Sequence, residues 1–140
     1  MDCTIAIEDA AAEDVQAVRD GLVDFNLGFA PDMRHRQLCV MLRSEDGSLV
    51  GGLLGETWWE WLHINILWIH ESARRQRYGE QMLRLAEKEA EHRGCHHAFL
   101  STMSWQALPF YEKQGYEVYA TLNDFPTGHK HHFVKKGLVV

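Results

Sequence analysis

An apolar, strand-like run ends at Ile69, a strongly patterned helix opens at Gly79, and between them lies Arg74-Arg75-Gln76-Arg77-Tyr78-Gly79. This order, a strand then a basic turn then a helix, constrains the fold more than any other part of the chain. Three guanidiniums in four residues stand out in a sequence with 14 Lys+Arg against 20 Asp+Glu and a net charge of −6. A basic turn at a helix N-terminus presents unpaired backbone N–H groups and the positive end of the helix dipole, which suits a phosphate or pyrophosphate. The alternative for these six residues alone is a solvated Arg-rich loop.

The rest of the chain reads as alternating strands and helices. Cys3–Glu8 alternates enough to predict a short first strand. Residues 10–29 place Val15, Val18, Leu22, Phe25 and Phe29 three and four apart, one apolar helical face that Gly21 is expected to split and Pro31 to end. Gln37–Arg43 and Leu49–Thr57 are expected to pair antiparallel across the Asp46-Gly47 turn. Leu62–Ile69 follows as a third strand of that meander. A helix over Gly79–Arg93 turns Met82, Leu83, Ala86 and Ala90 inward, carries a Glu89–Arg93 pair and stops at Gly94. A strand at His96–Leu100, a helix at Trp105–Gln114 stopped by Gly115, and strands at Tyr116–Leu122 and His132–Val139 complete the order.

With 140 residues, no linker and no repeat, the expectation is a single domain over residues 1–140. Its expected class is mixed α/β, with a mostly antiparallel central sheet of six or seven strands and helices on both faces. Acidic residues near the N-terminus (Asp2, Glu8, Asp9) do not suit a secretory signal, and Glu60, His63 and Asn65 break the longest apolar run well short of a membrane span. Cys3, Cys39 and Cys95 share no metal spacing and read as reduced thiols, so a cytoplasmic protein is expected. The acidic balance argues against a nucleic-acid partner, and no membrane partner is expected. The histidine-rich Gly128-His129-Lys130-His131-His132 lacks an evident third ligand, so no metal is expected.

Two motifs, in order, resemble the GNAT superfamily of acetyl-CoA-dependent N-acetyltransferases. The first is a strand followed by Arg/Gln-x-x-Gly-x-Gly and a helix, here Ile69 through Arg74 to Gly79. The second is Asn-x-x-Ala-x-x-Phe-Tyr-x-Lys-x-Gly-Phe, here Ser104 through Ala107, Phe110, Tyr111 and Lys113 to Gly115 and Tyr116. Arg77 stands where the first loop glycine is usual, and Ser104 replaces the motif's asparagine. A side chain at 77 is harmless at negative φ and obstructive if the loop needs a left-handed residue.

The resemblance implies a splayed, V-shaped slot for acetyl-CoA as acyl donor. The pyrophosphate would rest on backbone N–H groups of Arg75, Gln76, Arg77, Tyr78 and Gly79, with Arg74 and Glu80 flanking. The pantetheine arm would lie along Leu67, Trp68 and Ile69, and the Leu67 N–H would hold the acetyl oxygen. Ser104, Ala107, Phe110 and Lys113 complete the expected cofactor contacts. Tyr111 is expected to donate to the departing thiolate; by itself it also reads as a packed tyrosine. Strand alternation places residues 63, 65, 67 and 69 on one face. By the same resemblance, counting back from Arg74, His63 stands where some members of the family carry a catalytic glutamate and is the candidate general base, with Glu60 and Glu56 as backups and ordered water as the alternative.

Trp58, Trp59, Glu60 and Trp61 fall where the family's acceptor pocket begins. The three tryptophans either stack on a cationic or planar substrate or simply pack, with Trp59 and Trp61 expected on one face and Trp58 on the other. The expected activity is acetyl transfer to a primary amine of a small molecule or peptide. The alternative is a catalytically inactive acyl-CoA-binding sensor or interaction module of the same fold. Dimerisation is common in the family, which admits a homodimer.

Overall fold

A computed structural model describes residues 1–138, so the end of the last expected strand, Val139, lies outside the described residues. The chain divides into two compact units, Met1–Asp32 and the part from Met33 onward. In the first, α1 spans Ala12–Asn26. Its first turn carries Glu13 and Asp14, favourable beside the positive end of the helix dipole. Gly21 does not divide it: the helix continues through that residue, helped by a Gln16–Asp20 hydrogen bond of 2.8 Å one turn apart. The expected strand over Cys3–Glu8 is absent. Alternation across six residues is a weak signal, and a strand exists only where a neighbour takes its backbone hydrogen bonds.

The second unit is a six-stranded sheet in the order β1-β2-β3-β4-β6-β5. Its strands are β1 (Arg36–Arg43), β2 (Leu49–Trp58), β3 (Trp61–Ile69), β4 (His97–Met103), β5 (Glu117–Asn123) and β6 (Lys130–Gly137). All neighbours are antiparallel except β3 and β4. That parallel pair is joined through α2 (Tyr78–His92), since parallel strands need a long crossover. Both predicted glycine stops hold: Gly94 and Gly115 have φ of +89° and +96°.

The helix expected at Trp105–Gln114 is only α3, Leu108–Lys113. Pro109 disfavours helical geometry in the residue before it and fits only the first helical positions. The preceding turn is held instead by the Gln106 side chain, whose Oε1 accepts the Met103 N–H at 2.7 Å.

One face of this sheet packs on α2 and α3. Leu53, Leu62, Leu83 and Val134 are fully buried there, together with Met82, Ala86 and Ala90 from the predicted inward face of α2. Arg93 anchors the C-terminal end of α2. Its Nε meets Glu89 at 2.6 Å, and Nη1 donates to the carbonyls of Arg36 and Gln37 and to Thr57 Oγ1.

Regularity fails at one point that matters for the site. Leu54 pairs with Ile66 and Gly55 with Ile64, so Asn65 is an extra residue in β3, a β-bulge. Gly55 permits the close approach: a Cβ there would stand 2.5 Å from the His63 carbonyl oxygen. Among the described residues, no helix is long and apolar enough to cross a membrane.

Candidate active site

The bulge opens the sheet. β3 and β4 pair only from Trp61/His97 to Ile64/Leu100. Beyond that, β3 continues against β2 to Ile69, while β4 continues against β6 to Met103. The separating strands leave a cavity of about 190 Å³, lined by Ile64–Leu67 on one side and Leu100–Thr102 on the other, with Gln106, Ala107 and Tyr111 closing it. From Asn65 onward, the β3 edge facing this cavity has no strand paired to it, so an extended chain can add along it.

Tyr111, on α3, is 6% exposed. Its ring is held edge-on between Phe110 and Tyr116, at centroid distances of 5.1 and 5.9 Å. Burial pushes its phenol up to about 12, so the hydroxyl stays protonated at neutral pH and is available as a donor.

β3 leads into the basic turn through a 3₁₀ turn, Glu71–Ala73, capped by His70 Nδ1 accepting from the Ser72 N–H at 3.1 Å. Arg74 is folded back, its Nε donating to the Ile69 carbonyl at 2.8 Å. The first helical bond of α2 runs from the Gln81 N–H to the Arg77 carbonyl, so the helix offers no partner to the amides of Tyr78, Gly79 and Glu80. Gly79 lies where a Cβ would touch Ile69 and Phe110 at ordinary contact distance, 3.5–3.7 Å. Glu80 is paired with Arg84 at 2.8 Å, Tyr78 packs against the core, and Gln76 and Lys113 are exposed.

The loop does adopt the left-handed backbone that Arg77 disfavours: its φ is +64°, and Arg75 has +63°. The usual glycine has been replaced without changing the conformation a glycine serves. An L-residue there costs about 1–2 kcal/mol, partly offset by the entropy that glycine loses on folding. Arg77→Gly is expected to stabilise the fold by about 0.5–1 kcal/mol, a melting-temperature rise of roughly 2–4 °C.

Ser104 is turned to a structural task. Its hydroxyl contacts His129 Nδ1 at 3.1 Å and accepts the Lys130 N–H at 3.1 Å, fastening the start of β6. The cavity wall next to Ala107 is formed instead by Thr102 and Gln106, joined by a 3.3 Å hydrogen bond. These two, with Asn65, are residues that sequence reasoning missed. Asn65 was visible only as a polar interruption of an apolar run.

The expectation for residues 63 to 69 needs correction. The bulge reverses alternation: Leu62 and Ile64 before it, and Leu67 and Ile69 after it, all face the helix-covered core. His63 therefore lies on the opposite face from Leu67. There its ring stacks on Phe99 at 4.5 Å and meets the edge of Trp58 at 5.7 Å.

The tryptophans are also rearranged. Trp58 and Trp61 are cross-strand partners and share one face, both against Phe99, and Trp61 stacks on His97 at 4.4 Å. Trp59 and Glu60 form the two-residue turn between them, both at positive φ (+43° and +70°), as a hairpin of this length requires. Glu60 is thus separated from His63 by the length of the hairpin end. Glu56 sits directly across from His63, with Oε1 3.6 Å from Nδ1.

The family model described as Acetyltransferase (GNAT) family matches residues 6–116. The chain belongs to this family of acetyltransferases. It is 37% identical over 122 residues to an acetyltransferase of Agrobacterium fabrum, covering 87% of this chain and 88% of that protein. It is 38% identical over 95 residues to blasticidin-S acetyltransferase of Streptomyces morookaense, covering 67% and 70% of the two chains. The crystal structure of an acetyltransferase from Bacillus cereus aligns with a TM-score of 0.86 at 31% identity, over 96% of this chain and 98% of that one. The six-stranded, mostly antiparallel open sheet with its splayed strands is the GNAT fold. GNAT enzymes use acetyl-CoA and act on amine acceptors.

Proposed function

We propose that residues 1–140 form one N-acetyltransferase domain that moves the acetyl group of acetyl-CoA to a primary amine of a small molecule or peptide by direct attack. The observation that carries this reading is the buried, protonated Tyr111 at the floor of the opening between β3 and β4. The pantetheine arm runs along the free edge of β3 past Leu67, Trp68 and Ile69. The pyrophosphate sits on the amides of Arg75 to Gly79 and the start of α2.

The amine nitrogen attacks the thioester carbon while the Leu67 N–H steadies the carbonyl oxygen. The carbon–sulfur bond then breaks, and the Tyr111 hydroxyl donates to the departing sulfur. The proton lost by the amine goes to His63 or to water. The name of one relative, blasticidin-S acetyltransferase, supports a small-molecule acceptor, and a primary amine arrives as a cation at neutral pH. Trp58, Trp61 and Phe99, with Glu56 beside them, offer aromatic and anionic contacts of the matching kind.

The test is titration calorimetry with acetyl-CoA and ADP as competitor, followed by free-thiol release with a panel of amines that includes blasticidin S. Competitive binding with amine-dependent thiol release is expected. Binding without release from any amine would leave a noncatalytic acyl-CoA-binding module, and absence of binding would remove the loop assignment.

A further inference from the structure

Resting on the acetyl-transfer reading above, we propose that Glu56 is a positioning residue: it holds His63 as the Nδ1–H tautomer, so that Nε2 is the group that takes the proton from the acceptor amine. Four observations meet here. Glu56 and His63 are cross-strand partners, with Oε1 3.6 Å from Nδ1. His63 Nδ1 is sealed from solvent and has no hydrogen-bond partner, although about a quarter of the side chain, 27%, remains exposed. The ring therefore meets solvent through its other edge. Asn65, the bulged residue on the cavity wall, donates from Nδ2 to Glu56 Oε2 at 2.7 Å. Phe99 and Trp58 fix the plane of the imidazole.

A buried ring nitrogen without a partner is costly, and the carboxylate oxygen is the acceptor nearest to hand. A sub-ångström approach converts 3.6 Å into an Nδ1–H···Oε1 bond, of the kind by which a carboxylate selects a histidine tautomer. Because Asn65 grips the other oxygen, Glu56 cannot turn away, and the same bulge that opens the cavity aims this carboxylate. Titratable groups on this side of the sheet include His97 on Trp61, His35 near Trp58, Lys135 opposite Phe99 with Glu117 across from it, and His131 opposite Met103. The transfer balances simply. An ammonium gives its proton to neutral Nε2, the freed lone pair attacks the thioester, and the imidazolium later returns the proton to water.

Glu56→Gln makes the distinguishing variant. Asn65 Nδ2 needs an acceptor, so it takes the amide oxygen and turns the amide NH₂ toward Nδ1. That reverses the tautomer with almost no change in shape. Imidazole nitrogen NMR of the full chain is expected to show His63 as Nδ1–H in the wild type and Nε2–H in Glu56→Gln. With amine and acetyl-CoA saturating, kcat should fall roughly a hundredfold in Glu56→Gln and in His63→Ala, with no further loss in the double variant.

Binding of acetyl-CoA should stay within about twofold in all three, since neither side chain touches it in this reading. A wild-type Nε2–H tautomer, a tautomer unchanged by Glu56→Gln, or losses that multiply in the double variant would each overturn the proposal. The NMR result stands apart from turnover, so a wild-type protein without thiol release would defeat the acetyl-transfer reading alone.

Discussion

Replacing Tyr111 by phenylalanine is expected to lower kcat by one to two orders of magnitude while leaving the acetyl-CoA dissociation constant nearly unchanged. The size follows from how the phenol is held. Burial pushes it to about 12, whereas a free thiol titrates near 8.5. Complete proton transfer from Tyr111 to a thiolate in water would therefore be uphill by about 5 kcal/mol. The narrow opening strips water from the sulfur as well and raises its basicity, which shrinks that gap. What remains is a strong hydrogen bond that forms as charge builds on the sulfur, worth about 1.4–3 kcal/mol to the transition state.

Since Tyr111 keeps its proton at any assay pH below about 11, it should contribute no limb to the pH–rate profile. Steady-state thiol release alongside a binding isotherm checks both halves, and unchanged turnover would take Tyr111 out of the chemistry.

Removing Glu87 is expected to give the largest loss of stability, about 3 kcal/mol. This carboxylate on α2 is 7% exposed and accepts from two partners on other elements. The Tyr116 hydroxyl donates to it at 2.7 Å, and Lys136 Nζ on β6 donates at 3.0 and 3.2 Å. Glu87→Ala leaves a phenol and an ammonium without an acceptor, and losing one partner of such a pair costs more than the pair contributes intact. The figure sits at the low end of the usual range because the Lys136 side chain is 25% exposed and can reach water. Denaturant unfolding measures it, and a loss below 1 kcal/mol would show that the network is dispensable.

The same network gives stability an alkaline limit. Burial, then the Glu87 charge, raise Tyr116 far above an ordinary tyrosine, and burial raises Tyr111 to about 12. Above about pH 10 the unfolded chain ionises both phenols while the folded chain keeps them protonated. Stability is therefore undiminished by these groups below pH 10 and declines as pH rises from there toward 12.

The parts legible in the sequence were those fixed by local rules. The strand, basic turn and helix through residue 79, the inward face of α2, and the glycine stops at 94 and 115 each depend on residues a few positions apart. The bulge was not legible, because an extra residue in a ladder is a property of two strands. Nothing in Leu62–Ile69 by itself says that Gly55 will face Ile64 instead of Asn65. Once that register is missed, His63 goes to the wrong side of the sheet, and Glu56 reads only as a backup base, not as the residue directly across from His63. The tryptophans failed for a related reason: alternation was carried through a two-residue turn, where the chain reverses and Trp58 comes to face the same way as Trp61. Ser104 was read from its place in a motif, whereas its hydroxyl is committed to His129 and Lys130.

The opening in this sheet is a counting error in a ladder rather than a gap between large and small side chains. Its walls tolerate changes of side chain more readily than a change in the number of residues in β3. Shortening β3 by the bulged residue would heal the ladder, leave Leu67 and Ile69 on the core face opposite Leu53 and Gly51, and draw the parting strands together. A point substitution among the lining residues would alter only the shape of the space. In this protein, strand length itself carries the information that keeps the enzyme open.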